Sequence, residues 1–184
     1  LVQVLSNVAR RWREPDYPFR QLALEQGPAA TGFSRATLVR GLDAFFKTLT
    51  PEHFHVLLEQ DLGHARRLDE MVAGEAETVS HRAALACAPE LLVHIAAGNL
   101  PSPALSAMVL GVLVRSAQFV KCANSNALLP RLFAHSLYEV EPKLGACLEV
   151  AEWRGGRHDL EQGLFDEADC VTATGTDETL AAIR

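Results

Sequence analysis

The stretch "HIAAGNLPSPALSAM", residues 94–108, decides the fold. To its left, "LLVHIAA" (91–97) is a short apolar run that reads as a strand. To its right, after Gly98, Asn99 and the prolines Pro101 and Pro103, "PALSAMVLGVLVRS" carries a helical pattern. A strand, a glycine-containing turn and a helix make one βα unit, and the unit recurs. "QFVKCA" (118–123) is strand-like and "ALLPRLFAHSLYEV" helical, with Pro130 close enough to the helix start to be tolerated. "ACLEVAEW" (146–153) reads as a strand and "DLEQGLFDEA" as a short helix. "CVTATG" (170–175) is a strand again and "TDETLAAIR" an opening helix. Four such repeats predict an α/β fold, a parallel sheet covered by helices through right-handed crossovers. Strands this apolar fit a sheet buried on both faces.

Upstream, from Leu1 to about Val72, the period is helical. Leu1, Val4, Leu5, Val8 and Trp12 share one face; Leu38, Leu42, Phe45, Phe46 and Leu49 another; Phe54, Leu57, Leu58 and Leu62 a third. Ser34 caps the second of these segments. Thr50-Pro51-Glu52 opens the third with a capping hydroxyl, a proline at the first helical position and an acid in the first turn. "REPDYP" and "EQGPAATG" read as connecting loops, and the charged "AGEAETVSHR" marks the change of period. The division expected is a helical segment over 1–75 followed by a ligand-binding α/β domain over 76–184.

Composition narrows the function. The 184 residues include 17 Lys and Arg, dispersed along the chain, and the net charge is -6, which argues against a nucleic-acid groove. No apolar run reaches the ~20 residues of a membrane span and no signal peptide opens the chain, so a cytoplasmic location is expected. Because it starts at Leu1 without a Met and stops in an early helical turn, we expect part of a longer protein. Cys87, Cys122, Cys147 and Cys170 form neither a CxxC pair nor a secreted framework, and lying near apolar runs they are expected to be buried structural thiols. His53 and His55 diverge on a helix, so they are expected to face solvent or to be satisfied by hydrogen bonds, and no metal site is expected.

In an open α/β sheet ligands bind outside the carboxyl ends of the strands. Three turns fall there: "AGNLPSP", "KCANSN" and "TGTDE". Gly98 permits close backbone approach, and helix starts present N–H groups to anions. None is a GxGxxG fingerprint, so tight turns and a nucleotide site both remain open readings.

Taken in order, "HIAAGNLPSPALSAMVLGVLVRSAQFVKCANSNALLPRLFAHSL", "VAEWRGG" and "LFDEADCVTATGTDETLAAIR" resemble the bacterial acyl-CoA reductase family that includes the fatty-acid reductase of bioluminescence, within the aldehyde dehydrogenase superfamily. The resemblance covers roughly residues 85–184. It implies a Rossmann-like cofactor-binding domain behind the helical segment, with the catalytic domain and its nucleophilic cysteine beyond residue 184. None of the four cysteines matches that nucleophile. It implies an enzyme that reduces a fatty acyl thioester such as acyl-CoA to an aldehyde, and a homo-oligomer when complete.

The resemblance also gives roles to residues. Asn99 would donate its amide to the oxygen that gains charge when cysteine attacks the thioester, worth about 3–4 kcal/mol in comparable oxyanion holes. Lys121, ending the strand "QFVK", would reach the ribose of the nicotinamide cofactor. A lone lysine there is expected to emerge at the ligand edge. Asn124 stands where NAD-preferring relatives often carry a ribose-binding glutamate and would not repel a 2′-phosphate, so NADPH is expected over NADH. Gly175 and Thr176 match the turn beside the pyrophosphate, although Asp177 and Glu178 would disfavour a phosphate close to them. A turn role for Asn99, a surface role for Lys121 and simple capping at Gly175-Thr176 stay open. So do a non-catalytic nucleotide-binding or interaction module and a superfamily enzyme acting on a phosphorylated or free acid derivative.

Overall fold

Caps and prolines start most helices of the first half. The computed structural model describes residues 1–96, 101–123 and 126–183. Helix α1 (Val2–Arg13) buries Leu5, Val8, Ala9 and Trp12 on one stripe, and Arg10, Arg11 and Arg13 in its last turn complement the helix dipole. Helix α2 (Pro18–Thr31) begins on a proline and ends at Gly32, whose φ of 75° suits glycine. Ser34 Oγ accepts from the Thr37 N–H at 3.1 Å to start α3 (Arg35–Thr48), and Thr50 Oγ1 from His53 at 3.3 Å to start α4 (Pro51–Leu62).

The reading of "EQGPAATG" as a loop is corrected, because it forms the second half of α2 with Pro28 inside the helix. Tertiary contacts outweigh the local signal. Gly27 lies so close to α3 that a Cβ there would meet Leu38 Cδ1 at 2.7 Å. Buried Arg20 donates to the Trp12 carbonyl at 2.8 Å and pairs with Asp43 at 2.8 Å, tying α2 to both neighbours. The charged connection "AGEAETVSHR" holds a short helix, α5 (Glu75–Val79), framed by an antiparallel bridge between Val72 and Ala84 and by an Arg67–Glu77 ion pair.

From residue 91 the alternation predicted is the one observed. It runs β1 (Leu91–Ile95), α6 (Pro101–Leu113), β2 (Ala117–Cys122), α7 (Leu128–Val140), a short α8 (Pro142–Gly145), β3 (Leu148–Glu152), α9 (His158–Glu167), β4 (Cys170–Ala173) and α10 (Asp177–Ile183). The four strands are all parallel in the order β3-β2-β1-β4. Val93 pairs with Phe119 on one side and Val171 on the other, and Phe119 with Glu149. Burial follows position: β1 is enclosed beyond its first residue, whereas β4 at an edge leaves Val171 37% exposed.

One face of the sheet packs on α6 and α7, and the first-half helices continue that core. Trp12 stacks on Phe46 with ring centroids 4.8 Å apart, and its indole N–H donates to Ser136 Oγ on α7 at 2.8 Å. Phe46 in turn meets Phe133, and the cluster runs on to Val120, Cys122 and Leu148 in the sheet.

Candidate functional site

The strand order reverses between β1 and β4. Chain order runs β1, β2, β3 away from one side of β1, and the next crossover places β4 on the other side. Connections leaving neighbouring strands in opposite directions open a crevice at the carboxyl ends, where open α/β sheets bind ligands. Here β1 is followed in the chain by α6, and β4 leads into Thr174, Gly175 and Thr176 before α10. At the base of the crevice the Thr174 N–H donates to the Ile95 carbonyl at 3.0 Å. Next to it, the Ala96 N–H donates to the Lys121 carbonyl at 2.9 Å, so the ends of three strands are fastened together.

Gly175 and Thr176 are exposed at this edge. Asn99 and Asn124 lie outside the described residues. Lys121 is in the right strand but not at its tip, since β2 continues through Cys122. Instead of emerging freely it is 7% exposed, with its ammonium 5.7 Å from the centroid of the Trp153 ring, which follows β3 and also meets Phe119. Alternation along β2 puts Phe119 and Lys121 on the face opposite Gln118, Val120 and Cys122. The crevice is thus flanked on that face by a cation resting on an aromatic ring.

The cysteines correct a second expectation. Cys122 is buried in the helix-covered core, and burial pushes its thiol up to about 11. Cys87 and Cys147 are exposed, however, and Cys170 is half-buried. They precede β1, precede β3 and open the edge strand β4, so lying near an apolar run did not place them in the core. All three sit at the amino edge of the sheet, away from the crevice. His53 and His55 face solvent, and among the described residues no group of three or more His, Cys, Asp or Glu side chains is placed to hold a metal ion. No helix among them is long and apolar enough to cross a membrane.

Sequence reasoning missed the polar chain beneath the crevice. His94, 4% exposed in the middle of β1, has Nδ1 2.6 Å from Thr172 Oγ1 on β4 and Nε2 3.0 Å from Gln118 Oε1 on β2. Gln118 passes the chain on by donating its amide to the Met108 carbonyl of α6 at 3.2 Å. That carbonyl can only accept, which turns the Gln118 oxygen toward His94. Nε2 therefore carries the proton, and Nδ1 accepts from the Thr172 hydroxyl. The available signal was two polar residues, His94 and Gln118, inside strands otherwise fit for burial, because such groups must find partners.

Burial, partly offset by the Gln118 hydrogen bond, holds the His94 pKa below its ordinary value of 6.5. The unfolded chain then takes up a proton at a higher pH than the folded one. Its contribution to stability is complete above about pH 6.5 and is lost as pH falls below that, until the folded imidazole is itself protonated. Urea midpoints measured from pH 7.5 to 5.0 are expected to fall on the acid side, with His94→Gln flattening part of that slope; an unchanged slope in the variant would refute this origin.

The family model described as acyl-CoA reductase (LuxC) matches residues 1–184. A long-chain acyl-protein thioester reductase of Photorhabdus laumondii subsp. laumondii is 20% identical over 186 residues, covering 98% of this chain and 37% of the relative. A protein of the same name from Aliivibrio fischeri is 22% identical over 190 residues, again covering 98% of this chain and 37% of the relative. The chain therefore spans little more than a third of the length of these two relatives.

Proposed function

The chain belongs to the acyl-CoA reductase (LuxC) family, and from that premise we propose that it forms the cofactor-binding part of an NADPH-dependent reductase converting a fatty acyl thioester to an aldehyde. The observation that carries the reading is the reversal of strand order between β1 and β4, with Gly175 and Thr176 exposed at the carboxyl end of β4. The order 3-2-1-4 is also that of the first strands in dinucleotide-binding sheets. The family description names coenzyme A as the acyl carrier and the names of the relatives a protein, so the substrate common to both is a thioester.

The residues present fit such a cofactor. Lys121 supplies a cation beside the crevice for a ribose hydroxyl or 2′-phosphate, neutral Asn124 favours NADPH over NADH, and Gly175 and Thr176 shape the cleft without a bulky side chain at the glycine. When bound, NADPH supplies the hydride that reduces the acyl group. Asn99 donates its amide to the thioester oxygen as charge collects there. The nucleophilic cysteine comes from outside residues 1–184, consistent with three thiols at the far edge and a fourth held protonated in the core. On this reading the present chain binds cofactor without turnover, acts in the cytoplasm, and assembles as a homo-oligomer when complete.

A fluorescence titration of the chain with NADPH and NADH tests the reading. Saturable binding that favours NADPH is expected, weakened about tenfold or more in Lys121→Ala, the loss of one charge-assisted contact. Equal affinity in the variant would remove Lys121 from the site, and no binding of either nucleotide would favour a module without cofactor chemistry.

A further inference from the structure

We infer that His94 is a positioning residue for the crevice: through Thr172 on one side and Gln118 on the other it locks β1 between β4 and β2 below the carboxyl ends of β1 and β4. The inference rests on the cofactor-binding reading above. Its warrant is geometric. His94 and Thr172 are register partners across β1 and β4, the pair of strands between which the crevice opens. Their side chains meet at 2.6 Å on the face where α6 covers β1, with Thr172 exposed at the edge of the sheet. Thr172 lies two residues before Thr174 and four before Thr176, so the bond sits just below the exposed end of β4. Adjacent main-chain pairing holds the two strands together, and this side-chain bridge runs on through Gln118 to the α6 backbone. Gly111 leaves the space that Gln118 needs, because a Cβ there would stand 2.3 Å from its Cδ.

Protonation changes the direction and the charge of the bridge. The neutral ring accepts from Thr172 and donates to Gln118, whereas the imidazolium donates at both nitrogens, so that the Thr172 hydroxyl turns its proton outward and becomes an acceptor. Little on this face would stabilise the cation. Helix α6 carries no ionisable side chain from Pro101 to Leu113, β2 offers Gln118, Val120 and the thiol of Cys122, and β4 offers Cys170 and the exposed Thr172. Lys121 lies on the opposite face. Protonation therefore reverses the Thr172 bond and sets a charge without a counter-ion at the β1–β4 seam, which is expected to disturb the strand ends above it.

The test combines two readouts on the same chain. The first is an NMR pH titration of the His94 imidazole and of the backbone amides of Thr174 and Thr176. The amides are expected to shift with the midpoint of His94 and to lose that dependence in His94→Gln. The second is NADPH affinity against pH, in the parent and in Thr172→Val, which keeps the shape and removes the hydroxyl. Binding is expected to weaken on acidification through the His94 midpoint, and to be about five- to tenfold weaker in Thr172→Val at pH 7.5. Amides that ignore the His94 titration would overturn the proposal, as would a Thr172→Val protein with a lower urea midpoint and unchanged NADPH affinity. Absence of NADPH binding at every pH would defeat the cofactor reading instead, and the amide titration alone would then decide the role of His94.

Discussion

Trp12→Ala is expected to lower the unfolding free energy by about 3–5 kcal/mol, the range for deleting a large buried aromatic. Trp12 is 1% exposed and joins three helices that are distant in sequence. Its ring stacks on Phe46 of α3 at an interplanar angle of 15° and meets Tyr17 edge-on, while its N–H reaches Ser136 of α7. Truncation leaves a cavity at the junction of the first-half helices with the α7 layer, and the surrounding rings are held too firmly to fill it. Ser136 loses a donor but keeps its own bond to the Phe133 carbonyl at 2.7 Å, so the cost is mainly that of packing. Trp12→Phe, which retains a stacking ring, should cost clearly less. Urea denaturation followed by circular dichroism measures both, and a loss below about 1 kcal/mol for Trp12→Ala would show that this junction does not hold the core together.

Gly145→Ala is expected to cost about 3 kcal/mol or more, at the upper end of overpacking effects. A Cβ at Gly145 would lie 2.3 Å from Tyr138 Cα and 2.7 Å from its backbone nitrogen. A side chain can swing aside, but the backbone of α7 cannot move without disturbing Leu137 and Phe133 in the core. The same turn delivers the chain into β3, where the Gln118 N–H donates to the Cys147 carbonyl at 2.8 Å, so a shift at Gly145 also strains the β2–β3 edge. Gly163→Ala is the matched control. It lies within α9 with no atom within 4 Å of the added Cβ, and is expected to be neutral or stabilising by up to about 1 kcal/mol. Similar urea midpoints for the two variants would contradict the close approach at Gly145.

Much of this was legible because the relevant signals are local. Strand, turn and helix follow one another from Leu91 onward with the periods that buried strands and amphipathic helices impose, and Ser34 and Thr50 cap as their types require. Failures came where a distant contact decided the outcome. Pro28 and Gly27 look like a loop until Leu38 and Arg20 are packed against them. Lys121 reads as a free charge until Trp153, thirty-two residues on, folds over the same face. Of the cysteines only Cys122, inside a central strand, followed the expectation of burial. Cys87, Cys147 and Cys170 lie at strand approaches, where a neighbouring apolar run says little about exposure. The polar chain of Thr172, His94, Gln118 and Met108 spans three strands and a helix, and no spacing in the sequence announces it.

A crystal structure of this chain grown with NADPH tests the central claim most directly. Nucleotide density across the carboxyl ends of β1 and β4, with Gly175 beside the pyrophosphate and the Lys121 ammonium at the adenosine ribose, is the predicted result. Density elsewhere, such as the groove of about 480 Å³ that Phe45, Phe54 and Leu110 line among α3, α4 and α6, would contradict it, because the strand-order reversal would then not be where the ligand binds.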